Sequence, residues 1–185
     1  ANYRFALEAF RIADEQTNVA AALGNLALVY YRRTDYVQSV EYNMEAIRLY
    51  EKFGNHLGLC IGCNNLAQVY MDLGDFKGAI AYLTRCLYIA EMIGNDLRLA
   101  IALGDMATCQ LGLGDPTRAM AEITRALQFV QKVQTPHHEA VMHRVRGEIH
   151  AALGQTENAR KDFEIARDLL EPLNQRSRLA RVYRS

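Results

Sequence analysis

The chain has 185 residues, half of them hydrophobic, with 21 basic and 21 acidic side chains and a formal net charge of zero. That balance argues against a nucleic-acid partner, which would call for a basic stripe, and no apolar run approaches the ~18 residues of a membrane span. Cys60, Cys63, Cys86 and Cys109 sit inside helical patterns and no basic-then-apolar leader is visible, so free thiols, a cytoplasmic setting and no membrane partner are expected.

Taken in chain order, the sequence repeats itself. Residues 1–18 align with the second half of a unit, Ala6 matching Ala46. Leu26-Ala27-Leu28-Val29-Tyr30 then matches Leu66-Ala67-Gln68-Val69-Tyr70, and Gly54-Asn55 matches Gly94-Asn95. Asp35-Tyr36 matches Asp75-Phe76, and Gly74-Asp75 matches Gly114-Asp115. Each step is 40 residues (66 − 26, 94 − 54, 115 − 75), which sets full units at 19–58, 59–98, 99–138 and 139–178. Arg98-Leu99-Ala100 recurs two periods on as Arg178-Leu179-Ala180, so residues 179–185 read as the first helix of a further unit. Starting and stopping in mid-unit, the chain reads as part of a longer protein or as one capped by other elements.

Each unit reads as two helices. In 59–98 the first apolar set is Ile61, Leu66, Ala67, Val69, Tyr70 and Leu73, at helical spacing. Gly74 supplies a left-handed stop, and Asp75 offers its carboxylate to the free N–H groups of the next helix. The second apolar set is Phe76, Ala79, Ile80, Leu83, Leu87, Ile89 and Ile93, closed by Gly94. Small residues recur at three phases: Ala27, Ala67, Ala107 and Gly147; Ser39, Ala79, Ala119 and Ala159; Ala46, Cys86, Ala126 and Ala166. Tyr30, Tyr70, Leu83 and Phe163 are expected to fill the holes between them, as interlocking helix pairs require. No strand pattern appears.

The pattern Leu66-Ala67…Tyr70…Gly74…Phe76…Ala79…Leu83…Cys86 resembles the tetratricopeptide repeat, and the resemblance covers essentially the whole chain. The 40-residue step is similar to the longer-period subclass found in spindle-orientation adaptors and bacterial signalling proteins. The resemblance implies an all-α fold, a right-handed α-solenoid (superhelix) of antiparallel helix pairs. Several residues depart from the pattern. The helix-ending Pro is missing at Glu51, Glu91 and Gln131, so the second helices should run on by a turn or more. Pro172 should restore a stop, Pro116 replaces an aromatic, and Arg146 and His150 stand where Leu and Tyr are usual.

In this family the first helices line the concave side. The resulting candidate groove comprises Asn25, Leu28, Tyr31 and Arg32 in the first unit and Asn64, Asn65, Gln68 and Asp72 in the second. Asp105 and Thr108 follow in the third, and Arg144 and Glu148 in the fourth. Asn25, Asn65 and Asp105 share one phase and form a ladder. An Asn amide offers donor and acceptor together, so it can pair with any peptide backbone; the same residues could instead bridge neighbouring first helices. Gly24, Gly104 and Gly112 either leave room for close approach or are tolerated gaps.

Motifs for chemistry are weak. Cys60-x-x-Cys63 lies inside a helix, without two further ligands or a preceding strand. His138-Glu139…His143 places its histidines five apart, about 140° around a helix, where zinc proteases need a step of four. His143 and His150 share a face and suit an interhelical hydrogen bond or a solvated edge. Gly112-Leu113-Gly114 lacks the Lys-Ser/Thr of a phosphate loop.

The expected function is that of a non-catalytic scaffold, with no cofactor or metal, whose partner is a protein or peptide segment, extended or an amphipathic helix. The alternative is a regulatory or sensor part of a larger signalling or transcription-control protein, acting through self-association or a small ligand. Homo-oligomer formation through the terminal helices, residues 1–18 and 175–185, is a further expectation.

Overall fold

The computed structural model of the chain describes residues 8, 10 and 16–182, with side chains for 8, 10 and 18–172. The basic group at Arg176, Arg178, Arg181 and Arg184 and most of residues 1–18 lie outside the described side chains. The described residues form helices throughout, with no strand among them. In order these are α1 (Gln16–Arg32), α2 (Tyr36–Lys52), α3 (His56–Asp72), α4 (Phe76–Met92), α5 (Asp96–Gly112), α6 (Pro116–Val133), α7 (Pro136–Ala152) and α8 (Thr156–Val182). The fold is all-α, a solenoid of antiparallel helix pairs.

One turn joins all of these helices. A residue with positive φ recurs every 20 residues: Thr34, Gly54, Gly74, Gly94, Gly114, Gln134 and Gly154. Gly54 shows the geometry: its N–H donates to Glu51 O at 3.2 Å and the Asn55 N–H to Tyr50 O at 2.9 Å. These two bonds satisfy carbonyls that the helix end would leave bare. At five of these turns the next residue then caps the following helix, whereas Thr135 makes no side-chain cap bond. The carboxylate or carboxamide of Asn55, Asp75, Asn95 and Asp115 accepts from the N–H three residues on, at 2.8, 2.9, 3.0 and 3.0 Å, and Asp35 does so at 3.3 Å. Stop and start thus occupy adjacent residues, which holds most helices to 17 residues.

These turns limit the run-on expected of the second helices. α2, α4 and α6 pass through Glu51, Glu91 and Gln131 but end within two residues, at Lys52, Met92 and Val133. The first helices begin three residues before the boundaries drawn from the repeat, at Gln16, His56, Asp96 and Pro136. Pro172 does not act as a stop. It lies inside α8, which continues through 179–182 to Val182. The hydrogen bond that Pro cannot donate would end on residue 168, and both Asp168 and Pro172 are exposed, so water can satisfy the freed carbonyl. Pro116 is the first residue of α6, where its missing N–H costs nothing.

The small-residue phases are all buried, from Ala27, Ala67 and Ala107 through Ala159 and Ala166. Ser39 stays in its phase by donating its hydroxyl to Ala27 O at 3.0 Å. Tyr30 stacks on Tyr42 at 5.3 Å, and one period on Tyr70 stacks on Tyr82 at 5.5 Å. Leu83 is fully buried, as expected of a hole-filling residue, whereas Phe163 is 42% exposed. The Phe163 ring packs on Gly147, where an added Cβ would come within 2.7 Å of it. Leu73, in the apolar pattern of the first helix, is 55% exposed because it is the C-cap of α3.

The chain divides into two compact units, residues 1–98 and 99–185. In the first, Val19, Leu23, Leu26 and Tyr30 of α1 form a core with Ala46 of α2. In the second, Ile123, Val130, Met142 and Ile149 are buried on α6 and α7.

Gln134 holds the left-handed conformation with a Cβ, where the equivalent turns use Gly. Gln134→Gly should therefore stabilise the protein by about 1 kcal/mol, and Gly94→Ala should destabilise it by about as much, read as shifts in the denaturant midpoint at constant slope.

Candidate functional site

In the first unit, α1 and α3 are neighbouring first helices, and α2 packs against both. Between them opens a pocket of about 300 Å³ lined by Gly24, Asn25 and Leu28 of α1, Asn43 and Tyr50 of α2, and Ile61 and Asn65 of α3, among others. A smaller recess of about 60 Å³ continues it along Leu28, Tyr31, Asn43, Asn65 and Gln68. The helical phase thus brings five expected groove residues together: Asn25, Leu28, Tyr31, Asn65 and Gln68. Asp72 joins them at the rim, where Gln68 Nε2 donates to its Oδ1 at 3.4 Å. The Tyr31 phenol is pushed up to about 12, first by burial and then by its hydrogen bond to the Asp72 carboxylate, so it stays a neutral donor. Arg32 is exposed at the end of α1, and Asn64 is half-buried and lines neither pocket.

The groove residues expected in the second unit are arranged differently. Asp105 and Thr108 are half-buried on α5, and the Thr108 hydroxyl donates to Gly104 O of its own helix at 3.1 Å. Arg144 pairs with Glu148 one turn along α7. Gly104 is not an opening for a ligand. It is buried, and a Cβ there would lie 2.5 Å from Met142 Sδ, so it serves the approach of α5 and α7.

Two polar features escaped the reading of first helices alone. Asn43 belongs to a second helix and is 1% exposed, and its Oδ1 has no hydrogen-bond partner. Its equivalents one, two and three periods on are Leu83, Ile123 and Phe163. An unsatisfied buried carbonyl costs about 1–3 kcal/mol, so this position gives up stability that its apolar equivalents keep. The signal was available in the repeat: one Asn in an otherwise apolar column.

The second feature is a charge cluster between α7 and α8. Asp162, with a side chain 3% exposed, accepts from Arg146 Nε at 2.9 Å on one oxygen and from Arg146 Nη2 at 2.6 Å on the other. His143 Nδ1 lies 2.8 Å from Asp162 Oδ1 and must donate to it, which fixes the tautomer. His150 Nε2 is 3.6 Å from Asp162 Oδ2, while its Nδ1 meets Gln155 Oε1 at 2.6 Å. Burial alone would raise the Asp162 carboxyl, but the hydrogen bonds from Arg146 and His143 outweigh it and hold the group below the usual carboxylate range. Arg146 and His150, which depart from the repeat pattern, are thus the partners of a buried acid. The shared face of His143 and His150 serves an interhelical contact.

The cysteines are free and buried. Cys60 Sγ lies 2.9 Å from Cys86 Sγ across α3 and α4, while burial pushes the Cys63 and Cys109 thiols up to about 12. Among the described residues no three His, Cys, Asp or Glu side chains are placed to hold a metal ion, and no helix is long and apolar enough to cross a membrane.

A solenoid of paired helices with a pocket between first helices defines a helical-repeat protein. Tetratricopeptide repeat models match residues 61–132 and 19–52, and the chain belongs to the tetratricopeptide repeat family. No curated protein matches the sequence. Among solved structures, the chain is similar to BtubC from P. vanneervenii, with 19% identity and a TM-score of 0.76, covering 94% of this chain and 75% of that one. It is also similar to aspartyl phosphate phosphatase F from Bacillus subtilis, with 15% identity and a TM-score of 0.83, covering 93% and 45%. A third is a Rap protein complexed with Competence and Sporulation Factor, with 18% identity and a TM-score of 0.77, covering 91% and 49%. The chain thus spans about half the length of the last two. At these identities the likeness establishes the fold.

Replacing Asp162 with Asn leaves Arg146 and two histidines facing a neutral amide. Because Arg146 is partly exposed, the expected cost at pH 7 is the lower end for a broken buried pair, about 3 kcal/mol. A depressed carboxyl contributes its stability above its unfolded pKa of about 3.9 and loses it as pH falls through the folded value. The gap between wild type and Asp162→Asn should therefore narrow below about pH 4, as followed by denaturant unfolding at pH 7 and pH 3.

Proposed function

We propose that the chain is a non-catalytic scaffold that holds a peptide or protein segment along α1 and α3. The observation that carries this reading is the convergence of Asn25, Leu28, Tyr31, Asn65 and Gln68 on two adjoining pockets. The lining alternates apolar contact with carboxamides that can both donate and accept, which suits a backbone that does the same. An extended segment fits this alternation better than a helix, whose backbone groups are already paired. The reading uses no nucleophile, acid–base pair, cofactor, metal, membrane or nucleic acid. It is supported by a related fold that is known in complex with Competence and Sporulation Factor. A regulatory or sensor part of a larger cytoplasmic signalling or transcription-control protein, acting through self-association or a small ligand, is a second reading; the two similar structures of which the chain spans about half favour its larger size alone.

The test begins with peptides selected from a random display library on the wild-type chain. The double replacement Asn25→Ala with Asn65→Ala should weaken them at least about tenfold, or about 1.4 kcal/mol, by titration calorimetry with helix content unchanged. Affinity that survives the double replacement in a folded protein would overturn the groove.

A further inference from the structure

We infer that the pocket around Asn43 is a specificity pocket for one uncharged side chain that carries an N–H or O–H donor. This rests on the groove reading above and names what that groove selects.

An orphaned acceptor stands beside the groove. Asn43 lines both recesses and is 1% exposed, and its Oδ1, closed off from solvent, has no partner. Buried carbonyls of this kind are satisfied in nearly all folded proteins. The repeat offers an apolar solution at the same phase in Leu83, Ile123 and Phe163, and this unit does not take it. A donor arriving with a ligand completes the site.

Shape agrees. Gly24 stands where later units have Asn64, Gly104 and Arg144; Met142 fills the space at Gly104, whereas Gly24 lines the pocket. Its absent side chain leaves the space open, since a Cβ there would lie 3.7 Å from the Tyr50 hydroxyl. A volume of about 300 Å³ admits a large side chain and greatly exceeds the ~30 Å³ of one water.

The pocket carries no charge. The lining is Ala, Gly, Leu, Ile, Tyr and three Asn, with no ionised group. A carboxylate brought here would face the Asn43 carbonyl without a cation, and an ammonium would lose its hydration without a counter-charge. A neutral group with an apolar body and one donor meets neither penalty.

Indole and 1-methylindole serve as the probe pair, nearly matched in shape and differing in the N–H. Titrated into the ¹⁵N-labelled chain, indole should shift the Gly24 backbone amide and the side-chain amides of Asn25, Asn43 and Asn65. It should bind about fivefold tighter than 1-methylindole, the size of one net hydrogen bond. Asn43→Leu should bring the two probes within about twofold of each other and raise Tm by about 3–5 °C, because the acceptor left unsatisfied is gone. The rise in Tm shows that lost discrimination does not come from misfolding. Equal binding of the two probes to wild type, shifts confined to another face, or discrimination that survives Asn43→Leu would each overturn the inference.

The groove reading fails separately. If Asn25→Ala with Asn65→Ala abolishes peptide binding while the probes bind equally, the groove stands and the pocket inference falls. If selected peptides ignore Asn25 and Asn65 but indole still discriminates through Asn43, the pocket stands as a small-molecule site and the groove falls.

Discussion

Between successive helices the chain reverses over a residue with positive φ, and at every such turn but that of Gln134 its own N–H and the next one close onto carbonyls of the turn just finished. Where the residue after the reversal is also the cap of the next helix, as at 35, 55, 75, 95 and 115, no slack remains in which either helix could lengthen or slip. Register is thus set locally, every 20 residues. The buried phases follow from it. Ser39 donates to Ala27 O across the turn, and Ala67 and Ala79, at the same two phases one period later, are buried as well. The cost is concentrated where the side chain is wrong for the conformation, at Thr34 and Gln134.

Within a fixed register, individual contacts can change chemistry without moving the backbone. The column holding Tyr30 and Tyr42 shows this. One period on it holds Tyr70 and Tyr82, again stacked at about the same separation. Two periods further it holds His150 and Asp162, and the stacked rings give way to an ion pair of Asp162 with Arg146, beside which His143 and His150 lie against the same carboxylate. Stacking and ion pairing join the same two helices but respond differently to conditions. Ring contacts are indifferent to pH, whereas a buried carboxylate stabilises only while ionised. The two units therefore differ in what holds their helix pairs together, although their helices begin at the same phases.

The alternation of helices between residues 16 and 156, the period and the small-residue columns were legible in the sequence because each depends on local rules repeated in phase: a Gly stop, an Asx cap and an apolar spacing of 3.6. Boundaries were less legible. The repeat shows period but not origin, so units drawn at 19, 59, 99 and 139 begin one turn inside helices that start at 16, 56, 96 and 136. Pro172 misled because a helix-breaking preference yields where the freed carbonyl faces water. Of the candidate site, the residues of α1 and α3 could be read from phase. Gly104 could not be separated from Gly24 in this way, since both hold one phase and only packing shows that Met142 fills the space at the first.

Asn43 belongs to the part that phase alone does not assign, and it indicates how a repeat scaffold acquires a particular ligand. Repetition makes every column interchangeable, so an array of identical units has many equivalent sites and no preference among them. Selectivity requires a unit to break the pattern at a position that faces the groove, and the break must cost stability or it would be only packing. A buried carboxamide with an unpaired oxygen meets both conditions. The cluster at Asp162 breaks the pattern too, but its hydrogen bonds are completed inside the protein, so it leaves nothing for a ligand to supply. What separates a recognition feature from a structural variation in this fold is whether the polar group finds its partner within the chain.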